Sequence, residues 1–354
     1  MILPSTYSGA LLCLALSLLC WGSWANLQKL SGKRRYELFY WDFSIGIALT
    51  AIVAAFTLGS LRPSELTFQD NLLITSYHKI SYALEAGALF NLGILLLVGA
   101  LSVAPMAVVF PIAMGVGLVV GVGWLLFPPQ GSALLLLGGA VLVLIAIVLN
   151  AVAYSSHALE LQKTVKKPLM PEPRNPAAAA AARQALPATG IALSVVSGFV
   201  LGMIPPLSDL SRSGEDGLGA YSAAFLIAIA MLVTTFVYAP FFITFPVQGA
   251  PVQFRAYFKG GTAGHLYGFV AGVLWCGGLI ATFASGGALA TIQAGPVAGR
   301  GFAEGAAVLA ALWGLLAWRE FRGSSPRVLA LMISMLILWI VGAGMVALAP
   351  ALAK

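Results

Sequence analysis

Charged residues are scarce in this chain. Asp, Glu, Lys and Arg make up 9% of its 354 residues, whereas 60% are hydrophobic. Soluble globular proteins carry about 25% charged residues, and a soluble fold of this size could not bury so much apolar surface. The apolar runs are about 20 residues long, which suits membrane-spanning helices rather than the short alternating strands of a barrel. The sequence therefore predicts an all-α integral membrane protein.

Cysteine is rarer still, and a basic segment at the N-terminus is missing. The three cysteines, Cys13, Cys20 and Cys276, all lie in apolar runs. Their spacing suits neither a disulfide framework nor a metal site, so we expect no metal and no cofactor. The N-terminus has no basic segment and no small-residue cleavage site before or after its apolar run, so we interpret that run as a retained first helix.

The apolar runs divide into ten candidate spans. Their approximate limits are 7–27, 41–60, 81–101, 104–127, 132–154, 189–208, 219–245, 264–284, 293–318 and 327–349. The Pro- and Ala-rich stretch 155–188 is typical of a linker. It separates a five-helix repeat, 1–154, from a second one, 189–354. Because five is odd, the second half must enter the membrane from the opposite side, which predicts a 5+5 inverted repeat.

Lys and Arg predict the orientation. With ten spans, most basic residues fall in loops on one side of the membrane: Lys29, Lys33, Arg34, Arg35, Lys163, Lys166, Lys167, Arg174, Arg183, Arg255, Lys259, Arg319, Arg322 and Arg327. The positive-inside rule makes that side cytoplasmic, including the 155–188 linker. Both termini then face outward from an inner (plasma) membrane. We interpret the net charge of +7 as this topology signal, because no soluble segment is long enough to bind nucleic acid.

Several segments resemble one transporter superfamily. "CWGSWANLQKL" followed by "YELFYWDFSIGIAL" is similar to the first two helices of ureide permeases and of bacterial glucose- and rhamnose-type sugar uptake proteins. "GALFNLGILLLVGALSVAPMAVVFPI" resembles their third and fourth helices, and "GAAVLAALWGLLAWREF" resembles their ninth. These are branches of the drug/metabolite transporter superfamily. The central loop lacks the GxxxxGK[ST] motif of the plant ureide permeases, so nucleotide use is not expected.

The resemblance implies a secondary active transporter driven by a proton or substrate gradient. We expect a permease that moves a small polar organic solute, such as a sugar, a ureide or a related metabolite, by alternating access across the lipid bilayer. Proton symport is one hypothesis for the coupling. A homodimer is one possible oligomeric state. The alternative is a broad-specificity drug/metabolite exporter. An enzyme is disfavoured because His78, His157 and His265 lie in loops or at span ends.

Aromatic and amide side chains are the candidates for lining a substrate cavity. Trp21, Trp24 and Gln28 are three and four residues apart, on one face of the first helix. Indoles beside an amide would suit a flat or sugar-like solute, and an aromatic belt at the cytoplasmic interface is the alternative. Asn91 in the third span either lines the cavity or bonds a neighbouring helix. Trp275 in the eighth span faces either the cavity or the core.

Carboxylates inside spans are the candidates for coupling. Glu85 lies one to two turns into the third span, and a carboxyl in a partly dry cavity titrates upward, as proton coupling requires. An exposed glutamate at the outer mouth is the alternative. Arg300 and Glu304 are four residues apart and can pair on one helix face. That pair is either static or exchanges its partner during transport.

Prolines mark candidate hinges. Pro205 and Pro206 interrupt the sixth span, and Pro111 lies inside the fourth. Pro205 and Pro206 either permit gating or end a short helix, and Pro111 presents the same two alternatives. Asp42 stands at the predicted start of the second span, where we expect an acidic helix cap. The resemblance implies that it serves folding or gating.

Overall fold

The structure is a computed structural model that describes residues 1–32, 34–61, 66–127, 131–165, 187–290 and 305–352. Within these ranges the regular structure is entirely helical. Nine of the helices are long and apolar enough to cross a membrane. The chain is therefore a multi-pass membrane protein, as predicted.

The helices follow one another with short connections. Their bounds are α1 Tyr7–Ser23, α2 Ala25–Leu30, α3 Tyr36–Phe56, α4 Phe68–Ile74, α5 Tyr77–Val103, α6 Met106–Leu126, α7 Ala133–Val165, α8 Pro187–Gly202, α9 Ile204–Arg212, α10 Ala220–Thr244, α11 Thr262–Ala290, α12 Gly305–Ala317 and α13 Pro326–Leu348. Short 3-10 helices cover Phe254–Lys259 and Ala349–Leu352. The end of α12, Trp313–Ala317, is a π-helical turn.

Most predicted spans match helices, although several helices are longer than predicted. The first span combines α1 and α2, and the sixth combines α8 and α9. The fifth continues past its predicted limit to Gln162, because polar residues at a helix end can leave the hydrocarbon without ending the helix. Of the ninth predicted span only α12 is described. The count of ten thus depends partly on residues 291–304, which lie outside the described residues, as does most of the linker (166–186).

Glycines allow the central helices to cross closely. At Gly46 of α3 an added Cβ would lie 2.2 Å from the Phe269 carbonyl oxygen, and at Gly272 of α11 it would lie 2.1 Å from the Phe43 oxygen. Backbones this close are typical of membrane helix pairs joined by small residues. Gly117 of α6 approaches α8 in the same way, with 3.3 Å from its added Cβ to the Gly198 oxygen. These crossings hold α3 against α11 and α6 against α8.

The loops rich in Lys and Arg meet at one end of the bundle. Lys29 pairs with Glu320, and Arg35 donates to the Ala250 carbonyl at 2.9 Å. At the other end, Asn71 donates to the Gly217 carbonyl at 3.0 Å. The grouping of the described basic loops is the one that the predicted topology requires. Which end is cytoplasmic stays a prediction.

Candidate functional site

A pocket of about 640 Å³ opens at the end of the bundle where the basic loops meet. It is lined by Gln28, Lys29, Gly32, Arg34, Arg35, Tyr36, Leu101, Ser102, Gln248, Gly249 and Trp318. Sites for small molecules typically measure about 300–1,000 Å³, so this polar vestibule has room for a small organic solute. Of the predicted cavity residues, Gln28 lines it.

Gln28, which lines the vestibule, has an unused acceptor. Its amide nitrogen donates to the Val98 carbonyl of α5 at 3.0 Å, which fixes the side-chain orientation. Its Oε1 atom is buried and has no hydrogen-bond partner in the described part of the chain. The Nη1 atom of Arg34 is a buried donor in the same condition. An unmet buried polar atom costs about 1–3 kcal/mol, so a solute that bonds to it gains affinity.

Lys29, in the vestibule wall, belongs to an ion pair that joins three elements. It pairs with Glu320, in the turn between α12 and α13. The two Glu320 carboxylate oxygens also accept from the backbone N–H groups of Met106, at 2.8 Å, and Ala107, at 2.9 Å. A carboxylate at a helix N-terminus is stabilised by the helix dipole. Glu320 therefore ties α2 and the α12–α13 turn to the start of α6.

Arg34 belongs to a second buried cluster, which centres on Asp42. Its Nη2 lies 2.7 Å from Asp42 Oδ2, and both side chains are 9% exposed. Tyr257 donates its hydroxyl to Asp42 Oδ1 at 2.6 Å, and His265 Nδ1 lies 3.0 Å from the same oxygen. Burial, reinforced by the bond to Asp42, raises the pKa of Tyr257 to about 12, so the phenol remains a donor. The cluster connects α3 and α11 to the Phe254–Lys259 helix.

The predicted cap role of Asp42 is wrong. The helix begins at Tyr36, with Arg35 at the cap position, so Asp42 lies nearly two turns inside it. The prediction failed because the aromatic residues around Asp42 suggested a helix start at the membrane interface. Buried pairing with Arg34, rather than capping, satisfies this carboxylate.

A third ion pair, between Arg35 and Glu37, lies in the vestibule wall. Arg35 donates from Nε and Nη2 to the two carboxylate oxygens of Glu37, at 3.1 and 2.7 Å. These hydrogen bonds raise the pKa of Arg35, and Glu37 is fully buried. The three cations of the vestibule wall, Lys29, Arg34 and Arg35, are thus each paired with a carboxylate.

The predicted tryptophans lie in helix contacts. Trp21 is half-buried and donates its indole N–H to the Trp275 carbonyl of α11 at 3.0 Å. Trp24 and Trp275 are each 2% exposed. Trp24 packs on Phe43, with ring centroids 5.0 Å apart. None of the three lines the vestibule. Burial of Trp24 also does not fit the aromatic-belt alternative.

Asn91 bonds neighbouring helices, which agrees with one of its two predicted roles. It is fully buried in α5. Its Oδ1 accepts from the hydroxyls of Tyr40 at 2.8 Å and Thr235 at 3.2 Å, and its amide donates to Thr234 at 2.8 Å. A fully satisfied amide between α3, α5 and α10 is a packing element.

The predicted coupling residues fall in two groups. Glu85 is exposed on α5. At 100° per residue it lies on the face opposite Ala83 and Gly87, which pack on neighbouring helices. The described contacts therefore do not bring Glu85 to the vestibule. Arg300 and Glu304 lie outside the described residues.

The prolines have different environments. Pro111 removes the helical hydrogen bond to the Ala107 carbonyl, and that carbonyl accepts from Asn150 of α7 at 3.2 Å instead. Pro205 and Pro206 stand at the start of α9, just after the break at Met203. Since α9 continues to Arg212, the double proline interrupts the sixth span but does not end it.

Glu320, Tyr257 and His265 were not predicted as site residues. Glu320 stands in the turn that ends "GAAVLAALWGLLAWREF", where an acidic residue among basic ones is a usable signal. The sequence positions of Tyr257 and His265 carry no sign of their partner Asp42, more than 200 positions away. Only packing of α11 on α3 brings them together.

These features define a multi-pass membrane protein with a polar vestibule. Comparisons with known proteins show which proteins the chain is similar to. No family model matches the chain. Ureide permease 1 of Arabidopsis thaliana is 24% identical over 391 residues, covering 96% of this chain and 97% of the permease. Ureide permease 2 is 24% identical, with 96% of each chain covered. Ureide permease 5 is 25% identical, covering 95% and 93%.

These relatives carry the names of permeases rather than of enzymes. They agree with the ureide-permease part of the predicted resemblance and do not extend to the wider superfamily or to its sugar-uptake branch. A solved crystal structure of a protein aligns with 97% of this chain and 98% of its own, at 16% identity and a TM-score of 0.47.

Proposed function

We propose that the chain is a ureide-permease-like transporter that moves a small, polar, nitrogen-containing organic solute across the membrane. The observation that carries this proposal is the similarity to ureide permeases over nearly the full length of both chains. Because the similarity covers all the spans, it includes every helix that transport would require. The vestibule of about 640 Å³ supports the same conclusion, because its size suits such a solute.

The chemistry of the vestibule favours a neutral solute with both N–H and C=O groups. Its three cations are each paired with a carboxylate, so none is left for a free anion. The unused acceptor on Gln28 suits a solute N–H, and the unused donor on Arg34 suits a solute carbonyl. Ureides carry both groups. We propose that Gln28 binds the solute at the entry to the transport path.

We also propose that the halves 1–154 and 189–354 form the 5+5 inverted repeat and move by alternating access. The pairing of the described helices supports this. A two-fold axis that exchanges α1 with α8, α3 with α10 and α5 with α11 converts the α1–α11 contact into α8–α5, and the α3–α11 contact into α10–α5. Both members of each pair are present, and α7 packs against α13, its own counterpart.

Proton coupling remains part of the proposal, with Glu85 and Glu304 as candidates. Its test is uptake into proteoliposomes with and without an imposed pH gradient. We expect the gradient to accelerate uptake by the wild type and to lose that effect in Glu85→Gln or Glu304→Gln. If the pH gradient leaves uptake unchanged in all three proteins, the proton-coupling hypothesis is wrong.

Transport is tested by substrate counterflow in proteoliposomes that contain the purified chain. Hydantoin represents cyclic ureides, and uracil, glucose and glycine represent nucleobases, sugars and amino acids. We expect counterflow with hydantoin and weak or absent counterflow with glucose. Counterflow with none of the four, by a protein that remains folded, would contradict the proposal.

A vestibule variant tests the proposed role of Gln28. Gln28→Ala removes the unused acceptor, and we expect the apparent solute affinity to fall about two- to tenfold, because one neutral hydrogen bond contributes about 0.5–1.5 kcal/mol. Gln253→Ala is the matched control, since Gln253 is exposed and outside the vestibule lining. Equal affinities of the two variants would remove Gln28 from the site.

A further inference from the structure

The 3-10 helix Phe254–Lys259 exposes an unusual combination of side chains. Its sequence, FRAYFK, contains three aromatic and two basic residues. Phe258 is 75% exposed and Phe254 is 44% exposed. Arg255 and Lys259 are exposed as well, and the described part of the chain contains no ion-pair partner for either. Single exposed apolar residues are common, but two exposed rings, each next to an exposed cation in the sequence, form an amphipathic surface.

Aromatic contacts place this helix at the rim of the bundle. The ring of Phe254 lies 5.3 Å from the ring of Trp41, which lies 5.0 Å from the ring of Phe236. Phe236 is 63% exposed and belongs to α10, a candidate membrane span. An exposed ring on a span faces lipid. The line of rings therefore runs from the lipid-facing surface of the bundle to the FRAYFK helix.

We propose that Phe254–Lys259 is a binding site for an anionic phospholipid, with Phe258 inserted among the acyl chains and Arg255 and Lys259 on the headgroup phosphate. Amphipathic segments with aromatic and basic residues bind the membrane interface in this way, and anionic lipids strengthen the attraction. The charge complementarity favours anionic over zwitterionic headgroups.

The site is held in place before a lipid arrives. Tyr257, between the exposed residues, donates to Asp42 at 2.6 Å and packs against His265, with ring centroids 4.7 Å apart. Phe254 and Tyr257 stack with their planes 2° apart. A segment ordered by such contacts loses little conformational freedom on binding. It also links the lipid site to the Asp42 cluster.

Other basic residues at the same end of the bundle provide a matched control. Arg319 and Arg322 are both exposed and close in sequence, as Arg255 and Lys259 are. The ring between them in sequence, Phe321, is only 4% exposed. Removing these two charges changes the net charge equally without removing the amphipathic pattern.

The test counts lipids bound to the full chain by native mass spectrometry, during titration with phosphatidylglycerol or phosphatidylcholine in a non-ionic detergent. We expect phosphatidylglycerol to bind at least tenfold more tightly than phosphatidylcholine. R255Q/K259Q should lose at least tenfold in phosphatidylglycerol affinity, because each surface cation contributes about fivefold. R319Q/R322Q should stay within about twofold of the wild type, and F258S should weaken lipid binding without changing folding.

Three results would overturn the proposal. One is an unchanged phosphatidylglycerol affinity in R255Q/K259Q, or an equal loss in R319Q/R322Q. Another is tight binding of glycerol 3-phosphate, which would indicate a site for soluble anions. The third is a loss of dimer mass in R255Q/K259Q with lipid binding retained, which would assign the surface to a second copy.

Discussion

At the scale of single residues, Asp42 shows how this bundle accommodates charge. Its carboxylate contacts Arg34, Tyr257 and His265, which come from three different segments of the chain. Removing one member of a buried ion pair is costly because the other charge remains buried and unpaired, whereas replacing both by apolar groups is often tolerated. The contribution of Asp42 to the stability of the fold therefore depends on its partners.

This dependence predicts a non-additive pair of variants. Asp42→Asn should lower stability by about 3 kcal/mol, because the guanidinium of Arg34, 9% exposed, loses its counter-charge. The double variant R34M/D42L should be less destabilised than Asp42→Asn alone. Thermal unfolding in detergent, followed by tryptophan fluorescence, measures both. If the double variant were the less stable of the two, the ion pair itself would be the stabilising element.

At the scale of helices, the centre of the bundle is held together by helices that cross at close distance, such as α3 and α11. An added Cβ at Gly272 of α11 would meet the Phe43 oxygen and the backbone nitrogen of Ile47, at 2.1 and 2.8 Å. Both atoms belong to the α3 backbone, which cannot move aside as a side chain can. Glycine at this position is required by the approach of two helices rather than by a turn.

The crossing predicts opposite results for two glycines of the same helix. Gly272→Ala should destabilise by about 1–3 kcal/mol or more, as overpacking does. Gly277→Ala has open space around the new methyl group, so it should be neutral or stabilising by up to about 1 kcal/mol, because alanine favours helix over glycine. The melting temperatures of the two variants test this prediction. Equal melting temperatures would contradict the α3–α11 packing.

At the scale of the whole molecule, the arrangement of loops connects topology to function. The described loops with most of the Lys and Arg residues share the end that carries the vestibule and the FRAYFK helix. The positive-inside rule assigns this end to the cytoplasm. In the proposed transporter, the vestibule would then open inward, and both termini would lie outside.

Cysteine labelling tests this orientation. Arg322→Cys and Glu215→Cys are placed on exposed residues at opposite ends of the bundle, in a background without Cys13, Cys20 and Cys276. A membrane-impermeant maleimide should label Glu215→Cys in intact spheroplasts, and Arg322→Cys only in inside-out vesicles. The reverse pattern would invert the topology, and labelling of both from one side would contradict the arrangement of the spans.

Much of the fold could be predicted from the sequence alone. Apolar runs of about 20 residues determine that the chain crosses the membrane as helices, since the hydrocarbon leaves no other partner for the backbone. The distribution of Lys and Arg predicts which loops lie together, and the described loops agree. The Trp-Gly-Ser-Trp segment and its neighbours also carry the resemblance to ureide permeases, which the near full-length relatives support.

Only the tertiary structure decided which face of each helix points inward. The spans are apolar around their whole circumference, so no polar stripe in the sequence distinguishes a lipid face from a packed face. For this reason the sequence could not determine that Trp21, Trp24 and Trp275 pack between helices while Gln28 lines the vestibule. Nor could it pair Asp42 with His265 or Lys29 with Glu320, since such pairs form only when helices distant in the chain pack side by side.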